Sequence, residues 1–305
     1  MRLQYTEYRS FMEKLEDTLS EMLEDLQPVK VGSIYYMKNN GVVNEELQIY
    51  SPERKIGKVL DPKPFFERHL AGTQIEQLAD EIIDFYLKEE PEEISHIWKN
   101  IRNYETVKSR IFLRVVNYND NQMLLSLCPH IPVVDLALTF RIEISDVNDS
   151  LLSMTVDQNI FKNWAIDFET LKKDAMKNTM RKFPADIISV FQFLNSFLDD
   201  FERDDLEDVH ENFFAITNKR KINGATAVFY PGVLKALAEK IGSDLYLMPS
   251  SIHEMMVVPC DDCEDVSLLK CAVHDANETV VSKEERLSGS VYRYSRADDQ
   301  LNIVV

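Results

Sequence analysis

The sequence predicts an α+β protein: a mixed, mostly antiparallel sheet covered by helices, preceded by an N-terminal helix-plus-hairpin region. Three observations predict it. Tyr8, Phe11, Met12, Leu15, Leu19, Met22, Leu23 and Leu26 recur at three- and four-residue steps, the period of an amphipathic helix. Val31 to Met37 and Leu47 to Tyr50 flank Asn39-Asn40-Gly41, residue types that tolerate the positive φ of a hairpin turn. Leu245 to Met248 and Met255 to Val258 are apolar at successive positions, the pattern of strands covered on both faces, and Pro249 to Glu254 is short enough to join them.

The remaining elements follow in order. Pro28 stops the first helix, over residues 4–26. Pro62 to Ala71 reads as a short helix ended by Gly72, and Thr73 as the N-cap of a helix over Gln74 to Lys88, with Glu76 in the capping-box position. Leu78, Ile82, Phe85 and Tyr86 line its apolar face. An acidic break at Glu89 to Glu93 precedes a domain boundary near residue 105, giving regions 1–105 and 106–305. Arg110 to Tyr118, Val133 to Ile144 and Leu151 to Val156 read as strands, the last two joined by a polar turn at Asp146 to Asp149. Gln158 to Trp164 reads as a short helix, and Asp167 caps a helix to Lys182 that Pro184 ends. A Phe-rich helix is expected over Ile187 to Phe201, then strands at Phe213 to Thr217 and Ala225 to Tyr230. Pro231 opens a helix closed by Gly242, Asp262 opens another to about Ala276, and Val291 to Tyr294 is the last strand.

Composition narrows the function classes. The 305 residues include 8 Gly, 11 Pro and 10% aromatics, the make-up of a chain with a large core and no linker-dominated tract. No apolar run approaches the ~18 residues that span a bilayer, and acids interrupt the N-terminus where a secretory signal is apolar; the expected location is the cytoplasm, with no membrane partner. Four cysteines are too few for a disulfide framework. The net charge of −18 repels polyanions, so direct nucleic-acid binding is not expected. Arg102, Lys108, Arg110 and Arg114 form the densest basic cluster, which reads as solvated element edges.

Several long segments occur in a recognisable order: KNNGV (Lys38 to Val42), Pro64 to Tyr86, VKSRIFLRVVN (Val107 to Asn117), PHIPVVDLAL (Pro129 to Leu138), the stretch from Trp164 to AMKNT (Ala175 to Thr179), NGATAVFYPGVL, LYLMPSSIHE and KEERLSGSVYRY. By these the chain resembles, over nearly its whole length, the bacterial family catalogued as domain of unknown function 5688. Its second part is more distantly similar to domain of unknown function 1444, which shares a strand–helix–hairpin–helix order. The resemblance implies a complete fold and a bacterial cytoplasmic setting. It implies no activity and no catalytic residues.

Four groups of residues carry chemistry worth weighing. Ser250, Ser251, His253 and Glu254 hold the parts of a nucleophilic site, and Ser251 and His253 share a side of an extended chain. No G-x-S-x-G elbow accompanies them, and serines in a tight turn ordinarily bond backbone groups. Cys260, Cys263, Cys271 and His274 are zinc-compatible types, but a helix from Asp262 would hold Cys263 and Cys271 ~12 Å apart, beyond one ion's reach. Asp199, Asp200, Glu202, Asp204, Asp205, Glu207, Asp208 and Glu211 form an acidic run that suits a basic partner, or a solvated helix end. Cys128 and His130 sit in a proline-flanked turn. No G-x-x-x-x-G-K-[ST] or G-x-G-x-x-G is present, and no cofactor is expected. The first functional reading is a non-catalytic protein-interaction module with an acidic surface and a basic protein partner. The alternatives are a hydrolase or metal-assisted enzyme using the Ser-Ser-Ile-His-Glu loop, and a nucleic-acid mimic that inhibits a basic partner.

Overall fold

The computed structural model describes residues 2–24, 28–52, 56–89, 91–147, 150–190, 212–249 and 251–304. The fold is α+β, with every strand pair antiparallel among the described residues. The chain forms two compact units, residues 1–38 with 42–92, and residues 39–41 with 93–305. No described helix is long and apolar enough to cross a membrane.

In the first unit, α1 (Arg2–Glu24) buries Phe11, Met12, Leu15, Leu19 and Leu23 along one stripe, as the spacing predicts. Strands β1 (Lys30–Met37), β2 (Val43–Ser51) and β3 (Ile56–Leu60) form a sheet in that order, and Leu47 and Ile49 of β2 join the same core. Phe66 of α2 (Lys63–Leu70) packs on Tyr8 and Phe11 with ring centroids 5.1 and 5.3 Å away. Helix α3 (Ile75–Leu87) contributes Leu78, Ala79, Ile82, Ile83 and Tyr86, while Phe85 lies exposed. Its N-cap is Gln74, one residue after the expected Thr73, and no side chain caps it.

The second unit opens with α4 (Glu92–Asn100) and α5 (Tyr104–Val107). Strands β4 (Ile111–Asn117), β5 (His130–Val133), β6 (Leu136–Val147) and β7 (Ser150–Thr155) make a sheet in which the long β6 pairs with all three others; α6 (Gln122–Leu127) lies between β4 and β5 in sequence. Helices α7 (Gln158–Trp164) and α8 (Phe168–Lys182) start at Asp157 and Asp167, whose carboxylates accept the backbone N–H of Ile160 and Thr170, both at 2.7 Å. The second sheet runs β13–β12–β10–β11–β9–β8. Its strands are β8 (Ala185–Ser189), β9 (Phe214–Asn218), β10 (Leu245–Met248), β11 (Met255–Pro259), β12 (Tyr292–Ser295) and β13 (Gln300–Ile303). Helices α9 (Val233–Ile241) and α10 (Val266–Thr279) complete the unit.

Strands β10 and β11 occupy the middle of the six-stranded sheet, and strict alternation assigns their two faces. Leu245, Leu247, Met255 and Val257 enter the main core, together with Leu113, Val115, Leu138, Phe140 and Ile142 of the other sheet. Tyr246, Met248, Met256 and Val258 form a second layer with Val266, Leu269 and Val273 of α10. A continuous apolar run is thus required, as the sequence reads.

Three expected elements differ. Ala225 to Tyr230 is not a strand: Gly224–Phe229 is a 3-10 helix. Its neighbour β9 is already paired on both sides, by β8 and β11, so no edge remains for the run to join. Ala185–Ser189 is an edge strand rather than a helix start, its β-branched Ile187 and Ile188 pairing with Ile216 and Ala215; the rest of the expected helix lies outside the described residues. Helix α10 starts after Asp265, whose side chain accepts the Ser267 N–H at 2.8 Å, whereas Asp262 lies in a separate 3-10 turn.

Val134 occupies the left-handed region (φ 57°) in the two-residue turn between β5 and β6. A β-branched side chain there costs about 1–2 kcal/mol. Val134 is exposed, so little packing offsets that strain. Val134→Asn, a residue that tolerates this conformation, should stabilise the protein by about 1 kcal/mol in urea unfolding. An unchanged or lowered midpoint would mean that the turn is not strained.

Candidate functional site

The Ser-Ser-Ile-His-Glu loop connects β10 to β11, and four backbone contacts hold it. The Ile252 N–H donates to the Glu285 carbonyl at 2.9 Å, the Ala225 N–H to the Ile252 carbonyl at 3.2 Å and the Ser288 N–H to the Pro249 carbonyl at 3.0 Å, while Ser251 and Arg286 form an antiparallel bridge. The loop is therefore an irregular strand against residues 282–288.

Gly224 makes this approach feasible. A Cβ there would stand 2.1 Å from Thr217 Oγ1 and 2.3 Å from the His253 carbonyl oxygen, closer than atoms pack. The Thr217 hydroxyl itself donates to that carbonyl at 2.8 Å. The turn before it places both Lys221 and Asn223 in the left-handed region.

The side chains of the loop are committed to structure. Ser251 is buried, and its Oγ accepts the His253 backbone N–H at 3.0 Å, the local turn that serines commonly form. His253 Nδ1 faces the Lys221 carbonyl at 3.2 Å and Nε2 faces the Glu285 carboxylate at 3.4 Å. Glu285 also accepts the Ser282 hydroxyl at 2.9 Å. Among the described residues, no hydrogen bond joins the His253 ring to a serine hydroxyl, and Glu254 is half-buried outside this network. Ser250 lies outside the described residues.

Buried asparagines fix the facing segment. Asn40 Nδ2 donates to the Lys283 and Arg286 carbonyls, each at 2.7 Å, and Asn39 Nδ2 to the Glu284 carbonyl at 2.6 Å. Asn121 exchanges two bonds with Asn40, accepting its backbone N–H at 2.9 Å and donating to Oδ1 at 2.7 Å. Asn117 donates to the Leu287 carbonyl, and Asn277 to the Ser288 carbonyl at 3.0 Å. Asp135, next to the strained Val134, accepts the Ser288 hydroxyl at 2.6 Å, the Ser290 hydroxyl at 3.1 Å and the Tyr292 phenol. Burial, then the bond to Asp135, pushes the Tyr292 phenol far above its usual range, so it stays a donor. In the sequence Asn39 and Asn40 read only as turn residues, and Asn117, Asn121, Asn277 and Asp135 carry no distinguishing mark; their signal, scattered Asn and Asp in loops, is that of any turn.

Beside this segment lies a cleft of about 280 Å³, rimmed by Asp120, His274, Glu278 and Arg286 with Asn277 and Ser288 deeper in. Neither Ser251 nor His253 lines it. Arg286 reaches Glu278 at 3.3 Å, so a polar solute would meet one neutralised pair.

His274 is thereby separated in role from the cysteines that the sequence grouped with it. Cys260 is half-buried in the 3-10 turn Cys260–Asp262, Cys263 follows it, and Cys271 is exposed on α10. Because α10 starts at Val266, Cys263 is not helical as expected. Among the described residues no three His, Cys, Asp or Glu side chains come together to hold a metal ion. Burial pushes the Cys260 and Cys128 thiols up to about 11. His130 Nδ1 faces the Cys128 carbonyl at 3.1 Å, a contact to backbone and not to sulfur. The acids from Asp199 to Glu211 lie outside the described residues.

A family described as "Family of unknown function (DUF5688)" matches residues 8–296. The chain belongs to the DUF5688 family. Comparison with curated proteins and with solved structures gave no match. In this DUF5688 protein the segments quoted for the resemblance meet: KNNGV, VVN, PVVD, NGATAV and PSSIHE all bond to one another or to KEERLSGS.

Two outcomes check this geometry. Gly224→Ala should destabilise the protein by about 1–3 kcal/mol, the usual cost of overpacking, read as a lower denaturation midpoint. A neutral substitution there would contradict the close approach. At neutral pH, alkylation of the native protein followed by peptide mass spectrometry should label Cys271 well before Cys128 and Cys260, because the thiolate is the reactive form. Equal labelling of all three would refute the burial described.

Proposed function

We propose that this DUF5688 protein is a non-catalytic binding protein of the bacterial cytoplasm that engages a basic protein partner through acidic helix faces. One observation carries the reading. The solvent side of α1 presents Glu13, Asp17 and Glu21, and that of α3 presents Glu76, Asp80 and Asp84, each set at four-residue steps and exposed. No ion pair joins any of these six to a described base. Like charges at this spacing repel and destabilise a helix by a few tenths of a kcal/mol per pair. Rows kept at that cost favour an external cation, and the chain's net charge of −18 steers basic partners toward them.

The alternatives have less support. Acids four residues apart give one charge per ~6 Å of helix, sparse beside one per ~1.7 Å of duplex, so a protein partner fits better than mimicry of nucleic acid. The hydrolase reading needs an available nucleophile, and Ser251 spends its oxygen on its own loop.

Affinity capture from the native host tests the proposal. Wild-type protein should recover a basic partner that is released as ionic strength rises. The triple variant Glu13→Gln, Asp17→Gln, Glu21→Gln should recover less of it. Recovery of the same proteins in equal amount by both baits, or of no basic protein by the wild type, would refute the reading.

A further inference from the structure

The four-stranded sheet has a second face, turned away from the main core. On β4 it carries Phe112, Arg114 and Val116; on β6 it carries Ala137, Thr139, Arg141 and Glu143, by strict alternation with the buried Leu113, Val115, Leu138, Phe140 and Ile142. One end is apolar, where Val116 and Ala137 pack with Leu125 and Cys128; at the other, Phe112 meets Phe183 with ring centroids 5.3 Å apart, and Glu143 is neutralised there by Arg110 and Lys182. Its middle is cationic. Arg114 stands opposite Thr139, and Arg141 opposite Phe112, so the two arginines are diagonal neighbours, roughly 7–8 Å apart at the backbone. His130 of β5 flanks Thr139 on the other side.

Neither guanidinium has a carboxylate in ion-pair contact among the described residues. Arg141 donates from Nε to Ser153 Oγ at 2.9 Å, from Nη1 to Thr155 Oγ1 at 3.0 Å and from Nη2 to the Ser153 carbonyl at 2.7 Å, all neutral acceptors. Two of its five donors remain. The Nε of Arg114 is buried and has no acceptor. Glu284 and Glu285 are near enough to favour the charge of Arg114, but neither forms an ion pair with it, and Glu285 is held by Ser282 and faces His253. Burial lowers both guanidiniums from their usual range, Arg141 to about 9, with the like charge of Arg114 adding to it. Both residues nevertheless keep some accessible surface, so the face is not a sealed interior.

We propose that Arg114 and Arg141 form the floor of a binding site for a phosphate-type oxyanion. Two guanidinium forks on one sheet face match the charge of a phosphate dianion and can each meet two of its oxygens, geometry an ammonium does not provide. An anion between them also replaces their mutual repulsion with attraction. The phosphate is either free or carried by a small ester; the arginines recognise the group common to both. This site is separate from the acidic helix faces, and neither proposal depends on the other.

The test is titration of the full chain with inorganic phosphate, with glycerol 3-phosphate and with chloride at matched ionic strength, followed by thermal midpoint and ³¹P line width. The site requires the midpoint to rise and the phosphorus line to broaden with phosphate or its ester, but not with chloride. A stronger response to the ester identifies a phosphorylated small molecule; a stronger response to phosphate identifies the free ion. Arg114→Met should abolish the response while keeping a midpoint at or above that of ligand-free wild type, because it removes an uncompensated charge. Should that variant fail to fold, Arg114→Lys, which keeps the charge and loses the fork, should weaken binding at least about tenfold. Equal shifts with chloride and both phosphates, an unbroadened line, or an undiminished response in whichever variant folds would overturn the proposal.

Discussion

The pairing of β10 with β11 is the constraint around which the second unit is arranged. These two short strands have sheet on both edges and apolar layers on both faces. Tyr246 is the one polar side chain of the two strands, and the other chemical groups of the region lie at their ends. The connection between them is accordingly where backbone must be satisfied by other loops, and residues 282–288 and the Gly224 turn supply the partners. A buried donor or acceptor left with no partner costs about 1–3 kcal/mol. That cost explains why Ser251, Thr217 and the asparagines are spent on carbonyls and N–H groups.

Much of the architecture was legible from residue periodicity. The helices at Gln158–Trp164 and Phe168–Lys182 have Asp caps and apolar stripes that agree, and the hairpin around Asn39–Gly41 has turn chemistry that agrees with its strands. Where the reading erred, a short apolar run had no local feature to decide its form. Ala225 to Tyr230 is apolar because it is buried, and only the pairing of β9 with strands elsewhere in the sequence excludes it from the sheet. The strand at Ala185–Ser189 depends on partners some thirty positions onward.

The chemistry was less legible than the fold. Ser251 and His253 drew attention as residue types, yet what fixes them is Glu285, Lys221 and Gly224, distant in sequence. Arg114 looked like a solvated basic edge. In fact, the alternation that buries Leu113 and Val115 turns it to the opposite face, beside an arginine that no local pattern links to it. The resulting charge distribution runs against the bulk composition: a strongly acidic chain holds two partly buried arginines that have no ion-pair partner among the described residues. A net-charge argument sums over the whole chain, and it is silent about where individual charges of the opposite sign sit.

The asparagine turn has a chemical consequence of its own. An Asn followed by Gly is where polypeptides age soonest, since the next backbone nitrogen can attack the side-chain amide and expel ammonia to give a cyclic imide, which water then opens to a carboxylate. In Asn40 both amide hydrogens are engaged by carbonyl oxygens and the side-chain oxygen by Asn121. Folding therefore withholds this pair from its usual decay. Were it to decay in an unfolded interval, a negative oxygen would face the carbonyls of Lys283 and Arg286, and the chain would re-enter its fold with the latch broken.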